Sequence, residues 1–415
     1  MNKLTGVAAI QRALKNRNYR IFTIGNVVSN LGTWVQRMAV GWLAWQLTRS
    51  GTWLGIIAFS DLFPTIVLAP LTGAVADRVN RLTMMTITQT LMLIQAASLA
   101  ILTLMGVITI EILMALVIFG GVVMSFNQPV RLAIIPSLVP REDMASAIGI
   151  NSLIFNAARF VGPMISAVLI NLQGTGTAFA FNAATYIAFI TALLMIRLAE
   201  SNCSGVGRPI QNIPVEIMVG YRYAIRHSGI GPMLVILTIV SICARPIIEL
   251  LPGFAGAVFD RDETGLAMLT SSFGLGAMLG GVWLAQRGAV QGLTPVAVAA
   301  VAVLSCSLIA FTATDEFWLA LPALVFAGFA MIVIGVGEQT LIQNAVDPAI
   351  RGRVMGLYGM IGRGAPALGA LVMGALSSYV GFRWPVAGGA VLCLFVWIWA
   401  HRRRRTIAHE LEIEG

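Results

Sequence analysis

Polar residues punctuate this chain so as to leave about twelve apolar stretches of roughly 18 to 28 residues, each able to cross a hydrocarbon core of about 30 Å as a helix. The stretches lie near 20–47, 53–76, 82–105, 110–130, 144–171, 175–197, 229–258, 265–286, 292–313, 317–341, 352–379 and 384–401. Between the sixth and seventh runs the polar segment Ala199-Glu-Ser-Asn-Cys-Ser-Gly-Val-Gly-Arg-Pro209, a linker by composition. The pattern predicts an all-α membrane protein: twelve transmembrane helices in two pseudo-symmetric six-helix bundles, at 1–197 and 229–415, joined by a linker over 198–228. In that linker Ile217, Tyr221, Ala224 and Ile225 alternate with Glu216, Arg222 and Arg226, a spacing that suits a short amphipathic surface helix. The plainer alternative is the start of the seventh span.

A weak repeat at an offset near 207 links the halves. Val139, Gly149 and Gly162-Pro163 have counterparts in Val346, Gly356 and Ala365-Pro366. Two parallel six-helix halves are the arrangement of a transporter that binds at the membrane midplane and alternates access by rocking.

Composition agrees with this class, with 58% apolar and 11% charged residues and a mean hydropathy of +0.85. The net charge of +9 would fit nucleic acid, but the charges sort by loop. From a cytoplasmic N-terminus, twenty of the 27 Lys and Arg fall on the inner side, while Arg49, Arg261 and Arg383 fall outside. That bias predicts a multi-pass protein of the cytoplasmic (inner) membrane with both termini inside. The Arg402–Arg405 run then meets anionic membrane lipid, and nucleic acid is not an expected partner. The first twenty residues carry Lys3, Arg12, Lys15, Arg17 and Arg20 and no apolar core with a cleavage site, so the first helix is expected to remain. Cys203, Cys243, Cys306 and Cys393 lack metal-ligand spacing and read as packing residues. No metal, cofactor or enzymatic chemistry is expected: His227, His401 and His409 have no companion acid and nucleophile, and no nucleotide-binding loop is present.

Gly73-Ala-Val-Ala-Asp77-Arg78-Val-Asn-Arg81 sits between the second and third spans. It resembles the G-x-x-x-D-R-x-G-R loop of the major facilitator superfamily, with Asn80 where glycine is usual. Asn18-Tyr-Arg, Ser29-Asn-Leu-Gly-Thr-Trp34-Val-Gln36-Arg37, Asn127-Gln-Pro-Val-Arg131 and Asn151-Ser…Asn156-Ala-Ala-Arg159-Phe-Val-Gly162-Pro163 extend the resemblance across nearly the whole chain, toward the branch containing the enterobactin exporter and macrolide efflux proteins. The fifth span is also similar to the exporters' motif G-x8-G-x3-G-P-x2-G-G, through Gly149, Ala158, Gly162, Pro163, Ser166 and Ala167, with three glycines replaced by Ala or Ser. The resemblance implies a secondary active exporter of a small amphipathic molecule, siderophore or drug-like, acting without a cofactor and driven by proton antiport. It also implies an inner gate of Gly73, Asp77, Arg78 and Arg81, with Asp77 engaging Arg351, Arg353 or the helix start beside them. An importer on the same fold and a transport-inactive sensor or scaffold are the alternatives. A monomer is expected.

Arg37, Asp61, Arg159, Arg245, Glu249, Glu338 and Arg363 fall inside the spans. An ionisable group there costs about 2.5 to 3.5 kcal/mol on the insertion scale, so it faces the bundle interior or a water-filled path. Asp61, Glu338 and Glu249 are the proton-coupling candidates. Arg245 and Glu249, four residues apart, would share one face of a continuous helix and pair, whereas Glu338 has no basic neighbour in sequence. Arg37, Asn30, Gln36, Asn156, Arg159, Arg245 and Arg363 are the substrate-cavity candidates, with Arg159 and Arg363 able to pair with acids or to offer fixed positive charge to an anion. Trp42 and Trp45 read as packing residues.

Overall fold

A computed structural model describes residues 12–76, 79–196, 221–347 and 350–412. Every regular element among them is helical. In chain order these are α1 (Arg17–Thr48), α2 (Gly51–Ala76), α3 (Arg81–Leu104), α4 (Ile110–Leu138), α5 (Met144–Gln173), α6 (Thr175–Leu194), α7 (Ile230–Cys243), α8 (Ile247–Gly253), α9 (Glu263–Arg287), α10 (Leu293–Ala313), α11 (Phe317–Ala345), α12 (Arg351–Val380) and α13 (Arg383–Leu411). Among the described residues eleven spans are long and apolar enough to cross a membrane, α7 and α8 forming one of them. The first helix, α1, completes the twelve. Its 32 residues rise about 1.5 Å each, ample to span, but Asn26, Ser29, Asn30 and Gln36 are turned inward and dilute its apolar character.

By mutual contact the chain divides into two units, 1–43 with 64–210 and 44–63 with 211–415. In the first, α3 packs on α6 and α4, and α5 on α6. In the second, α11 packs on α9 and α10, α13 on α10 and α7, and α7 on α12. The tip of the α1–α2 hairpin thus groups with the C-terminal helices. There Gly51 and Gly55 lie against α12: a Cβ on Gly374 would come within 2.8 Å of the Gly55 Cα. Thr52 Oγ1 and Ser378 Oγ lie 2.8 Å apart, and Trp45 meets the edge of Phe382 at 5.7 Å, a packing role for this buried indole.

The internal repeat is visible in the backbone. Helices α5 and α12 are each 30 residues long and start 207 positions apart. They end on Gly174 and Gly381, at φ +85 and +79 with ψ near 170, a region open essentially only to glycine.

Four differences from the sequence pattern follow from packing. The fourth apolar span, Ile110–Arg131, ends where the sequence places it, but its helix α4 continues to Leu138 through Pro129 and Pro136, because Ile134, Ile135 and Leu138 continue its buried face and offset the hydrogen bonds that proline removes. The seventh span is not one helix. It breaks at Ala244–Pro246, resumes as α8 and ends in a π turn over Phe254–Val258; Arg245 and Glu249 therefore do not stand at i, i+4 of a continuous helix. The last helix extends beyond the Arg402–Arg405 run, with Ile407 and Leu411 fully buried. Glu412 then caps α10, accepting from the Gly292 amide at 2.6 Å and the Thr294 amide at 2.7 Å. Finally, Asn80, the departure from the family loop, is the N-cap of α3: its side chain accepts from the Leu82 and Thr83 amides at 3.0 and 3.2 Å. Asn80→Ala is expected to cost about 1 kcal/mol and Asn80→Gly only a few tenths, read as a larger drop in melting temperature for the alanine variant.

Asp77, Arg78 and most of the 198–228 linker lie outside the described residues, so neither the gate nor the surface helix is described beyond helical turns at 221–226.

Candidate functional site

Each unit buries a distinct polar centre. In the first unit α1 is the hub. Gln36 Nε2 donates to Gln95 Oε1 on α3 at 2.9 Å, and Asn182 Nδ2 on α6 donates to Gln36 Oε1 at 2.8 Å. Six residues earlier, Asn30 Nδ2 donates to the Asn26 backbone and side-chain oxygens at 2.8 and 3.0 Å, and Asn26 Nδ2 donates to Asn151 Oδ1 on α5 at 3.1 Å. Arg131 on α4 donates to the same Asn26 oxygen. Amides with so few open valences tie helices together, so Asn30 and Gln36 sit in the scaffold of the unit.

Trp34, on the same helix, carries a second cluster. The guanidinium of Arg37 lies 5.6 Å and that of Arg159 5.4 Å from the indole centroid, and Phe155 meets the ring edge-on at 5.6 Å. Gly162 makes this approach possible, since a Cβ there would fall 2.6 Å from the Trp34 Cβ. Ser166 Oγ donates to the Val35 carbonyl at 3.0 Å, and Ala158 is buried. The small positions of the exporter-like motif thus form one face of α5 against α1, with Pro163 inside the continuous helix. Gly149 faces open space. Asn156 donates to the Ser152 carbonyl at 2.8 Å, but its Oδ1 is buried without a hydrogen-bond partner.

In the second unit Glu338 is 1% exposed, and neither carboxylate oxygen has a hydrogen-bond partner. The break between α7 and α8 places Arg245 within electrostatic reach of it, while the guanidinium itself donates to the Gly362 carbonyl on α12 at 2.9 Å. Tyr358, one turn before Gly362, donates to the Gly335 carbonyl at 2.8 Å, one turn before Glu338. Asp61 and Glu249 are half-buried and each engages a neighbouring group. Arg363 is exposed on α12. Arg81 Nη1 donates to Ser137 Oγ at 3.4 Å, and Arg351 and Arg353 open α12 in exposed positions.

Arg131 and Tyr358 were not among the site residues the sequence singled out. For Arg131 the signal was present, in the apolar spacing that continues through Ile134, Ile135 and Leu138.

The sequence profile of the transmembrane secretion effector family matches residues 9–413. The staphyloferrin A transporter of Staphylococcus aureus is 24% identical over 379 residues, covering 88% of this chain and 91% of that one. Macrolide efflux protein A of Streptococcus pyogenes is 19% identical over 391 residues, covering 92% and 95%. The crystal structure of a bacterial homologue of the human lysosomal transporter Spinster, inward-facing and unoccupied, superposes with a TM-score of 0.74 at 14% identity, covering 99% of this chain and all of that one. The two chains share one fold. The chain belongs to the transmembrane secretion effector family and is a major facilitator transporter of small molecules, not an enzyme.

Proposed function

We propose that the protein is a secondary exporter of a small amphipathic molecule, working by alternating access and driven by proton antiport, as a monomer in the inner membrane with both termini in the cytoplasm. The observation that carries the coupling is Glu338. A carboxylate buried without hydrogen bonds is costly by several kcal/mol unless a cation or a proton compensates it. Here both compensators are at hand: a proton on Glu338 leaves Arg245 with the Gly362 carbonyl, and a turn of the guanidinium toward Glu338 releases the proton. Exchange between two such states is what an antiporter couples to substrate movement. Efflux is named in relatives of this chain, which supports the outward direction.

Inside-out vesicles supplied with staphyloferrin A and with a macrolide test the direction. An exporter accumulates one of these in inside-out vesicles when they are energised. Accumulation confined to right-side-out vesicles would make the protein an importer, and ligand-induced stabilisation without flux in either would make it a sensor.

A further inference from the structure

We infer that Gly335 is a positioning residue for the proton step: it leaves the room in which Arg245 parks away from Glu338, and so sets the acidity at which the transporter takes up its proton. This rests on the antiport reading and names what regulates it.

Glycine costs a helix interior about 0.5 to 1 kcal/mol relative to alanine, so each one inside α11 needs a reason. Gly328 has it in the Phe273 carbonyl on α9, which a Cβ would overlap, and Gly337 in the Ala297 side chain on α10, 3.3 Å from where a Cβ would stand. At Gly335 neither backbone nor apolar side chain is in the way. Beyond its own helix, and among the described residues, a Cβ there meets a single atom within 4 Å, Arg245 Nη2 at 3.2 Å. The glycine is fitted to the guanidinium.

The other terminal nitrogen of the same group, Nη1, donates to the Gly362 carbonyl at 2.9 Å. A Cβ on Gly362 would lie 3.8 Å from it, an ordinary contact, so the slot is tight on the Gly335 side. Tyr358 donates to the Gly335 carbonyl at 2.8 Å, which ties this turn of α11 to α12 and keeps its backbone from drawing back.

A methyl at 335 crowds the parked guanidinium, because 3.2 Å is inside the about 3.5 Å at which such atoms attract best. It crowds the alternative less. A helical Cβ leans toward the N-terminus, and Glu338 lies three residues toward the C-terminus, so a guanidinium turning to Glu338 moves away from the methyl. The balance between the two states then shifts toward the paired, ionised one. The groups within electrostatic reach of one another are Glu338 on α11, Arg245 at the break between α7 and α8, and Tyr358 on α12. Glu249 on α8 engages a neighbouring group, and Arg363 on α12 is exposed.

Infrared titration of the purified full-length protein tests this without a substrate, since the protonated-carboxyl band that Glu338→Gln removes belongs to Glu338. In Gly335→Ala that band should need at least about half a pH unit more acid to reach its wild-type strength, about threefold in proton affinity. Alanine is the better helix former, so the variant keeps the fold. Gly359→Ala on α12 should match wild type, since a Cβ there meets nothing within 4 Å. In an Arg245→Lys background, whose compact ammonium has no planar fork to fill the slot, Gly335→Ala should add no shift. Absence of the band from wild type, a band unchanged or stronger in Gly335→Ala, or an equal shift in the Arg245→Lys background would each overturn the assignment. A weaker band beside an unmoved pH profile of staphyloferrin A or macrolide flux would sink the coupling reading and leave the slot standing. Loss of pH-driven flux in Glu338→Gln beside an unmoved band in Gly335→Ala would do the reverse.

Discussion

Replacing Glu338 with Gln is expected to abolish pH-driven flux, by about a hundredfold or more, while substrate binding and exchange at equal pH survive. Glutamine keeps the size of the side chain in a site that is 1% exposed, so packing changes little, but it cannot take up or release a proton. A glutamine also gives Arg245 no charge to turn to, so the guanidinium stays on the Gly362 carbonyl and one of the two states is lost. Tyr358→Phe is the companion variant. It removes the hydrogen bond to the Gly335 carbonyl, worth about 1 kcal/mol, and should slow flux only several-fold without changing its dependence on pH. Full gradient-driven flux in Glu338→Gln would move the coupling to Asp61 or Glu249.

The second large effect is expected at the crossing of α2 and α12. A Leu at position 374 would place its Cβ 2.8 Å from the Gly55 Cα and 2.9 Å from the Gly55 amide nitrogen, against backbone that cannot swing aside. Overpacking of this kind costs about 1 to 3 kcal/mol, enough to shift a two-state equilibrium about fivefold to more than a hundredfold. If the crossing is one of the contacts that transport makes and breaks, Gly374→Leu should lower flux at least about tenfold in protein that still purifies as a folded species. Gly388→Leu on α13 is the control, since a Cβ there meets nothing within 4 Å. Wild-type flux in Gly374→Leu would remove this crossing from the cycle.

The spans were legible in the sequence because each must be apolar over a length that the bilayer sets. Their ends were less so. The fourth apolar run was placed at 110–130 and the last at 384–401, yet buried side chains at Ile134, Leu138, Ile407 and Leu411 carry both helices onward. Polar pairing was illegible for a different reason. Gln36 is 59 residues from Gln95 and 146 from Asn182, so nothing local shows that its valences are filled within the scaffold. Likewise Glu338 has no basic neighbour along the chain, and only the break at Ala244–Pro246 brings Arg245 to it. Asn80 shows the opposite case, where a departure from a family motif reads correctly once the helix it starts is known.

Proton movement accompanying substrate flux tests the central claim most directly. Purified protein in lightly buffered proteoliposomes would receive the compound that energised inside-out vesicles accumulate, while a pH electrode records protons and sampling records the compound. Antiport predicts a proton displacement opposite to the substrate flux in wild type and none in Glu338→Gln. Substrate flux with no proton displacement, or a displacement that persists in Glu338→Gln, would contradict the account.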